Sequence, residues 1–122
     1  MPAARPSSSL AWEPDAGDLI WTSFDPQVGR EQSGRRPALV VSPVAFWRAT
    51  RFTIVCPITS RVRPFNTSAV LPPGLPISGE VLTSHVRSID TLARPVATAG
   101  AAVPAAVLAE VRGKLAALIG LE

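Results

Sequence analysis

The apolar residues of this chain change their spacing once, near Pro104. Before that point they fall in short runs broken by Gly, Pro, Asp and Ser; after it they recur every three or four residues. The first pattern predicts strands and the second a helix. Gly17 opens the run Asp18-Leu19-Ile20-Trp21-Thr22-Ser23-Phe24, β-branched and aromatic enough for a strand, with the turn pair Asp25-Pro26 at its end. Ala38-Leu39-Val40-Val41-Ser42 is apolar without alternation, so both faces of that strand should be buried, and Pro43 closes it. Residues 44–51 read as a connection carrying Phe46 and Trp47. A third strand runs from Phe52 to Ile58, with Thr59-Ser60 at its exit and Arg61 and Arg63 on the short loop beyond. Strands around 67–71 and 79–83 flank the turn-rich Pro72-Pro73-Gly74-Leu75-Pro76. Residues 84–90 either extend the second of these or form a new element.

Leu108, Val111, Leu115 and Leu118 share one face of a helix predicted from Pro104 to Ile119, about 24 Å long. Pro104 is tolerated in a first turn and Gly120 stops the helix. Many short strands and one terminal amphipathic helix make a mainly β, α+β fold: a small, strongly bent sheet or barrel with a helix laid on it. Residues 1–13, rich in Pro, Ala and Ser, are expected to be a flexible arm, and 14–122 the domain.

At 122 residues the chain can bury one core without staples. Its basic residues are eleven Arg and one Lys against nine acids, a net charge of +3. A basic domain suits a polyanion, and the Arg fork grips phosphate at two points. A GC-rich genome produces the same Arg bias, so composition alone does not choose. Cys56 is the only cysteine and has no His or Cys near it at metal-ligand spacing, which argues for a buried thiol in a reducing, cytoplasmic setting. Residues 1–10 have no apolar signal core, and the uncharged stretch 95–109 is broken by Gly100 and Pro104, so neither secretion nor a membrane span is expected.

Candidate chemistry concentrates between the first two strands. Asp25 to Pro37 sets carboxylates, side-chain amides, a hydroxyl and three guanidiniums on a glycine-punctuated loop that runs straight into Ala38-Leu39-Val40-Val41. Loops held by a rigid strand are common sites of function. Gly29 and Gly34 have the spacing of a phosphate-binding P-loop. Arg35-Arg36 replaces its Lys and hydroxyl, and a strand rather than a helix follows, so nucleoside triphosphate binding is rejected.

The longer strings Gly17-Asp18-Leu19-Ile20-Trp21, Phe24-Asp25-Pro26, Gly29-Arg30-Glu31-Gln32, Gly34-Arg35-Arg36-Pro37-Ala38-Leu39-Val40-Val41-Ser42-Pro43, Cys56-Pro57-Ile58-Thr59-Ser60 and Val86-Arg87-Ser88-Ile89-Asp90 occur in one order. Together they resemble the MazF/PemK toxins of bacterial toxin–antitoxin systems, from about Pro14 to Gly120. The resemblance implies a small SH3-like barrel that forms a homodimer and cleaves single-stranded RNA at short sequences without metal or cofactor. It implies too a MazE/PemI-like antitoxin whose acidic segment folds across the basic groove. By the same resemblance the work falls on Arg36 and Thr59, with Glu31 and Gln32 shaping the site and holding RNA.

The residue chemistry is compatible. Metal-free RNA cleavage requires a proton taken from the 2′-OH, a neutralised phosphate oxygen and a protonated 5′-oxygen. Arg stays protonated and is a poor base, so Arg36 suits phosphate stabilisation and proton donation, Thr59 hydroxyl donation, and Glu31 the base. Glu31 and Arg36 paired only with each other, and Thr59 as an ordinary strand residue, are the bland alternatives. Gln32, Arg35, Ser60, Arg61, Arg63, His85 and Arg87 are the expected RNA contacts, although solvation explains Arg35, Arg61 and Arg63 equally well. His85, the only histidine, stands where relatives often carry Gln and fits hydrogen bonding better than catalysis.

Three departures from the family pattern fall at places expected to touch RNA, antitoxin or a dimer partner. Trp47 replaces a usual Asn, Thr91 stands where Trp is frequent, and the loop Arg61-Val62-Arg63-Pro64-Phe65 is short. Trp47 offers either a base-stacking face or a side chain buried in the core or at a dimer contact. A gyrase-poisoning, CcdB-like toxin and a degenerate, inactive toxin are the rival functions. The first needs a C-terminal Trp-Gly-Ile where this chain has Ile119-Gly120-Leu121-Glu122, and retained Glu31, Gln32, Arg36, Thr59 and Ser60 oppose the second.

Overall fold

The computed structural model describes residues 12–24, 35–63 and 66–121. Strand β1 (Asp18–Thr22) is followed by β2 (Arg36–Val40), helix α1 (Val44–Thr50), β3 (Phe52–Thr59), β4 (Ser68–Val70), β5 (Glu80–Leu82), β6 (Arg87–Asp90), β7 (Val96–Ala102) and helix α2 (Ala105–Leu118). All pairings are antiparallel, in the order β4-β5-β3-β2-β1-β7 with β6 on β3.

Strand β3 is the pivot. Along one edge it pairs with β2, Ala38 opposite Pro57 and Val40 opposite Val55. Along the other it pairs first with β6, Phe52 to Val55, and then with β5 at Ile58 and Thr59. Pro57 has no N–H to donate and falls in the gap between those two partners, where none is needed. One long strand thus joins two sheets, and the bend encloses a core of Leu19, Leu39, Val41, Cys56, Ile58, Val81 and Val111 with their neighbours. A second cluster, Ile20, Ala38, Val40, Val55 and Ile89, lies on the opposite face of the same strands. This explains the unbroken apolar run 38–41: alternate residues feed different clusters. Leu19, Leu39, Val40 and Val55, each with no exposed surface, contribute roughly 2 kcal/mol apiece by burial. The expected bent sheet with a helix laid on it is observed; among the described residues no ladder closes it into a continuous barrel.

The connection at 44–51 is helix α1, ended by Arg51 in the left-handed region at φ 67°. Trp47 points inward and is 4% exposed. Its indole N–H donates to Thr91 Oγ1 at 2.9 Å, and that hydroxyl donates to the Arg51 carbonyl at 2.6 Å. The Arg51 guanidinium covers the ring, 4.2 Å from its centroid. Trp47 and Thr91 therefore meet in a single contact. A base-stacking Trp47 is ruled out by this burial.

Residues 83–85 form one 3₁₀ turn, and after Val86 the open segment becomes β6. Strand β7 goes unpredicted because Val-Ala-Thr-Ala-Gly-Ala-Ala carries little strand propensity; it forms against the free edge of β1, Ile20 opposite Thr98 and Thr22 opposite Val96. Helix α2 starts one residue after Pro104 and ends one before Ile119. Val111 is buried and Leu108 and Leu115 pack on the core, but Leu118 is 42% exposed, so the apolar stripe is covered only in part. Arg112 donates from Nε and Nη2 to the Val41 carbonyl, at 3.2 and 2.9 Å, and Lys114 Nζ donates to the Ser68 carbonyl at 2.6 Å. At the other end of the domain, Trp12 donates to Asp18 and Glu13 pairs with Arg48; the arm's residues 1–11 lie outside the described residues.

Candidate active site

A cavity of about 570 Å³ opens where β2 begins and β3 ends. Pro37, Pro57, Ile58, Ile77 and Leu82 supply apolar wall; Arg36, Thr59, Ser60 and Ser78 supply polar groups, and Trp21 flanks them. Arg36 is the first residue of β2 and Thr59 the last of β3. With Ala38 opposite Pro57, two further steps along the same register set Arg36 level with Thr59. On its other side Arg36 faces Thr22 of β1, and Thr59 faces Glu80 of β5. Arg36 is therefore held by β1 and Thr59 by β5, both just past the last β2–β3 pair.

Thr59 Oγ1 accepts the Arg61 N–H at 3.1 Å, a local turn that uses an acceptor site of the hydroxyl and leaves its proton to donate. Arg61 and Arg63 are exposed on that turn, and neither lines the cavity. The Arg63 N–H donates to Glu80 Oε1 at 2.8 Å. Arg35 lies 5.6 Å from the Trp21 ring centroid, stacked on a wall residue. Arg36, Arg35, Arg61 and Arg63 make this end of the domain basic, and no carboxylate among the described residues lines the cavity.

Arg87 and His85 stand elsewhere. Arg87 lies 5.2 Å over the Phe24 ring and donates to the Phe24 carbonyl at 3.3 Å, at the end of the first strand run. His85 is exposed on the 3₁₀ turn and does not line the cavity. Glu31 and Gln32 lie outside the described residues. The sequence pattern does not single out Trp21 as a site residue, because an aromatic in a strand is sufficiently explained by strand propensity; its place on the strand leading to the Asp25–Pro37 loop is the signal. Cys56 is fully buried, and burial pushes its thiol up to about 12, so it is inert. Among the described residues no cluster of three or more His, Cys, Asp or Glu is suited to a metal.

The model of the family described as PemK-like, MazF-like toxins of type II toxin–antitoxin systems matches residues 15–119. The chain belongs to that family. It is 37% identical over 107 residues to the endoribonuclease toxin MazF of Escherichia coli K12, covering 88% of this chain and 95% of that protein. To the Escherichia coli endoribonuclease PemK it is 37% identical over 109 residues, 86% of this chain and 81% of the other. The crystal structure of MazF from Deinococcus radiodurans superposes with a TM-score of 0.79 at 50% identity, over 89% of this chain and 98% of that one. A chain of the MazE–MazF crystal structure from the same organism gives 0.82 at 47%, over 91% and 100%. This PemK/MazF-like toxin is accordingly an endoribonuclease by enzyme class. No helix among the described residues is long and apolar enough to cross a membrane.

Proposed function

We propose that this PemK/MazF-like toxin cuts single-stranded RNA at a short sequence in the cavity between Arg36 and Thr59, by attack of a ribose 2′-OH on its own phosphate and without a metal in the step. The observation that carries the reading is the convergence of those two side chains, one from each of two paired strands, on one apolar-walled cavity. The 2′-oxygen bonds to phosphorus, the bond to the 5′-oxygen breaks, and the products are a 2′,3′-cyclic phosphate and a 5′-OH. The Arg36 fork neutralises the non-bridging oxygens and supplies a proton toward the leaving oxygen. Thr59, its acceptor site occupied by the Arg61 N–H, donates its proton to the phosphate. Glu31 takes the 2′-proton; this role rests on residue chemistry alone, because Arg stays protonated and is a poor base.

Trp21, Ser60, Arg61 and Arg63 border the cavity or the turn leaving it and hold the flanking nucleotides, with Gln32 and Arg35. Arg87, bonded to Phe24, and exposed His85 are assigned to more distant RNA contacts. The toxin acts as a homodimer in the cytoplasm and is held inactive by an antitoxin whose acidic segment covers the basic end. Support comes from the clustered arginines and from relatives crystallised as MazE–MazF.

The test is to incubate the protein and its Arg36→Ala variant with mixed-sequence RNA in excess EDTA and map new ends. Cuts at one short word, reduced at least a thousandfold in the variant and absent when the 2′-OH at the cut is removed, are expected. RNA left whole by folded protein refutes the reading.

A further inference from the structure

We propose that the Gly79–Glu80 step at the start of β5 is a positioning device for Thr59 and for the basic turn that follows it. The inference rests on the assignment of Thr59 to the reaction. Gly79 has φ +133°, and a Cβ built on it would stand 2.2 Å from the Thr59 carbonyl oxygen and 3.3 Å from Ile58 Cγ2. The main chain of β5 thus lies against Thr59 more closely than any residue with a side chain permits. It is held there from behind, because the Gly79 carbonyl accepts the Leu71 N–H at 2.8 Å.

Glu80 completes the device. It is the register partner of Thr59, yet its side chain is only 1% exposed. A buried carboxylate is costly unless hydrogen bonds replace its water. Here Oε1 accepts the Arg63 N–H at 2.8 Å and Oε2 accepts the Ser68 hydroxyl of β4. The turn 60–63 is therefore fastened at both ends, by Thr59 Oγ1 on the Arg61 N–H and by Glu80 on the Arg63 N–H. Releasing the Glu80 end frees Arg61 from Thr59, lets the hydroxyl rotate, and loosens the base from which Arg61 and Arg63 project. An apolar residue would keep the strand pairing and lose all of this.

The test measures kcat and KM on a single-stranded RNA containing the mapped cut site, together with the urea midpoint of each protein. Gly79→Ala is expected to lower kcat about a hundredfold with KM within threefold, as a displacement of about 1 Å at a reacting group does. Glu80→Leu is expected to lower kcat at least tenfold, and Glu80→Gln, which keeps an acceptor for the Arg63 N–H, to restore it to within threefold of the unaltered protein. In a Thr59→Ala background, both Gly79→Ala and Glu80→Leu should lower kcat by less than threefold, because the reacting group they position is gone; any effect through Arg61 and Arg63 falls on KM. Full, additive losses in that background overturn the positioning role, as does a kcat unchanged by Gly79→Ala or by Glu80→Leu. Should Gly79→Ala not fold, the Glu80 variants carry the cycle unaided. Thr59→Ala that cuts as fast as the unaltered protein refutes the site assignment itself, and the inference falls with it.

Discussion

Replacing Thr91 with Val separates a structural Trp47 from an RNA-contacting one. The substitution keeps shape and removes a hydroxyl that accepts the indole N–H and donates to the Arg51 carbonyl. The carbonyl is not orphaned, because it also accepts the Thr91 backbone N–H at 3.1 Å. The indole N–H has no second acceptor, and in a residue 4% exposed it is left dry. An unsatisfied buried donor costs about 1–3 kcal/mol, and the lost bond to the carbonyl adds up to about 1. The expected destabilisation is about 1–4 kcal/mol, which for a chain of this length lowers Tm by about 4–16 °C.

The assay is urea unfolding followed by indole fluorescence, with RNA cleavage measured at 25 °C where the variant is still folded. Cleavage should stay within twofold. The double variant Trp47→Phe, Thr91→Val removes donor and acceptor together, so it should be more stable than the two single losses added, by about 1–2 kcal/mol. Additive losses, or cleavage that collapses while stability holds, would refute the reasoning and return Trp47 to the RNA surface.

Two further outcomes follow from local geometry. Arg51→Ala and Arg51→Gly both lose the stacking on Trp47, but only glycine escapes the left-handed strain at φ 67°, so the Gly variant should be about 1 kcal/mol the more stable in urea; the reverse order refutes this. For Cys56 the native thiol keeps its proton up to about pH 12 while the unfolded one loses it near 9, so its contribution is full below pH 9 and is lost between 9 and 12, by at most about 1.4 kcal/mol per pH unit. Alkylation should be undetectable in folded protein and fast in urea, and Cys56→Val should abolish this part of the alkaline destabilisation.

Much of the fold was legible because its strands announce themselves by burial. The run 38–41 declared a strand covered on both sides, and both faces are covered. Helix α2 showed by its spacing, but spacing cannot say how far along a helix its cover extends, and Leu118 is left exposed. Strand β7 was invisible since its identity depends on the vacant edge of β1 and not on its own side chains. The partnership of Trp47 with Thr91 was likewise hidden. Each residue stood out alone, and only the fold brings positions 44 apart into one hydrogen bond. The candidate site was readable as a pair of residue types by resemblance, while the register that sets Arg36 level with Thr59 depends on how β2 meets β3.

That register also separates what can vary from what cannot. Arg36 is backed by β1 through its pair with Thr22 and Thr59 by β5 through its pair with Glu80, so the proposed reacting pair sits within the sheet order β5-β3-β2-β1, just past the last β2–β3 pair. Strand pairing at both residues limits the freedom of the backbone that carries these side chains, which is what stabilising charge in a transition state demands. Arg61, Arg63 and His85 project from turns, where altered length or chemistry costs the sheet nothing. Changes in the short loop after Thr59 should therefore redirect which RNA word is held while leaving the reaction intact, provided the turn keeps the two N–H groups that fasten it to Thr59 and Glu80.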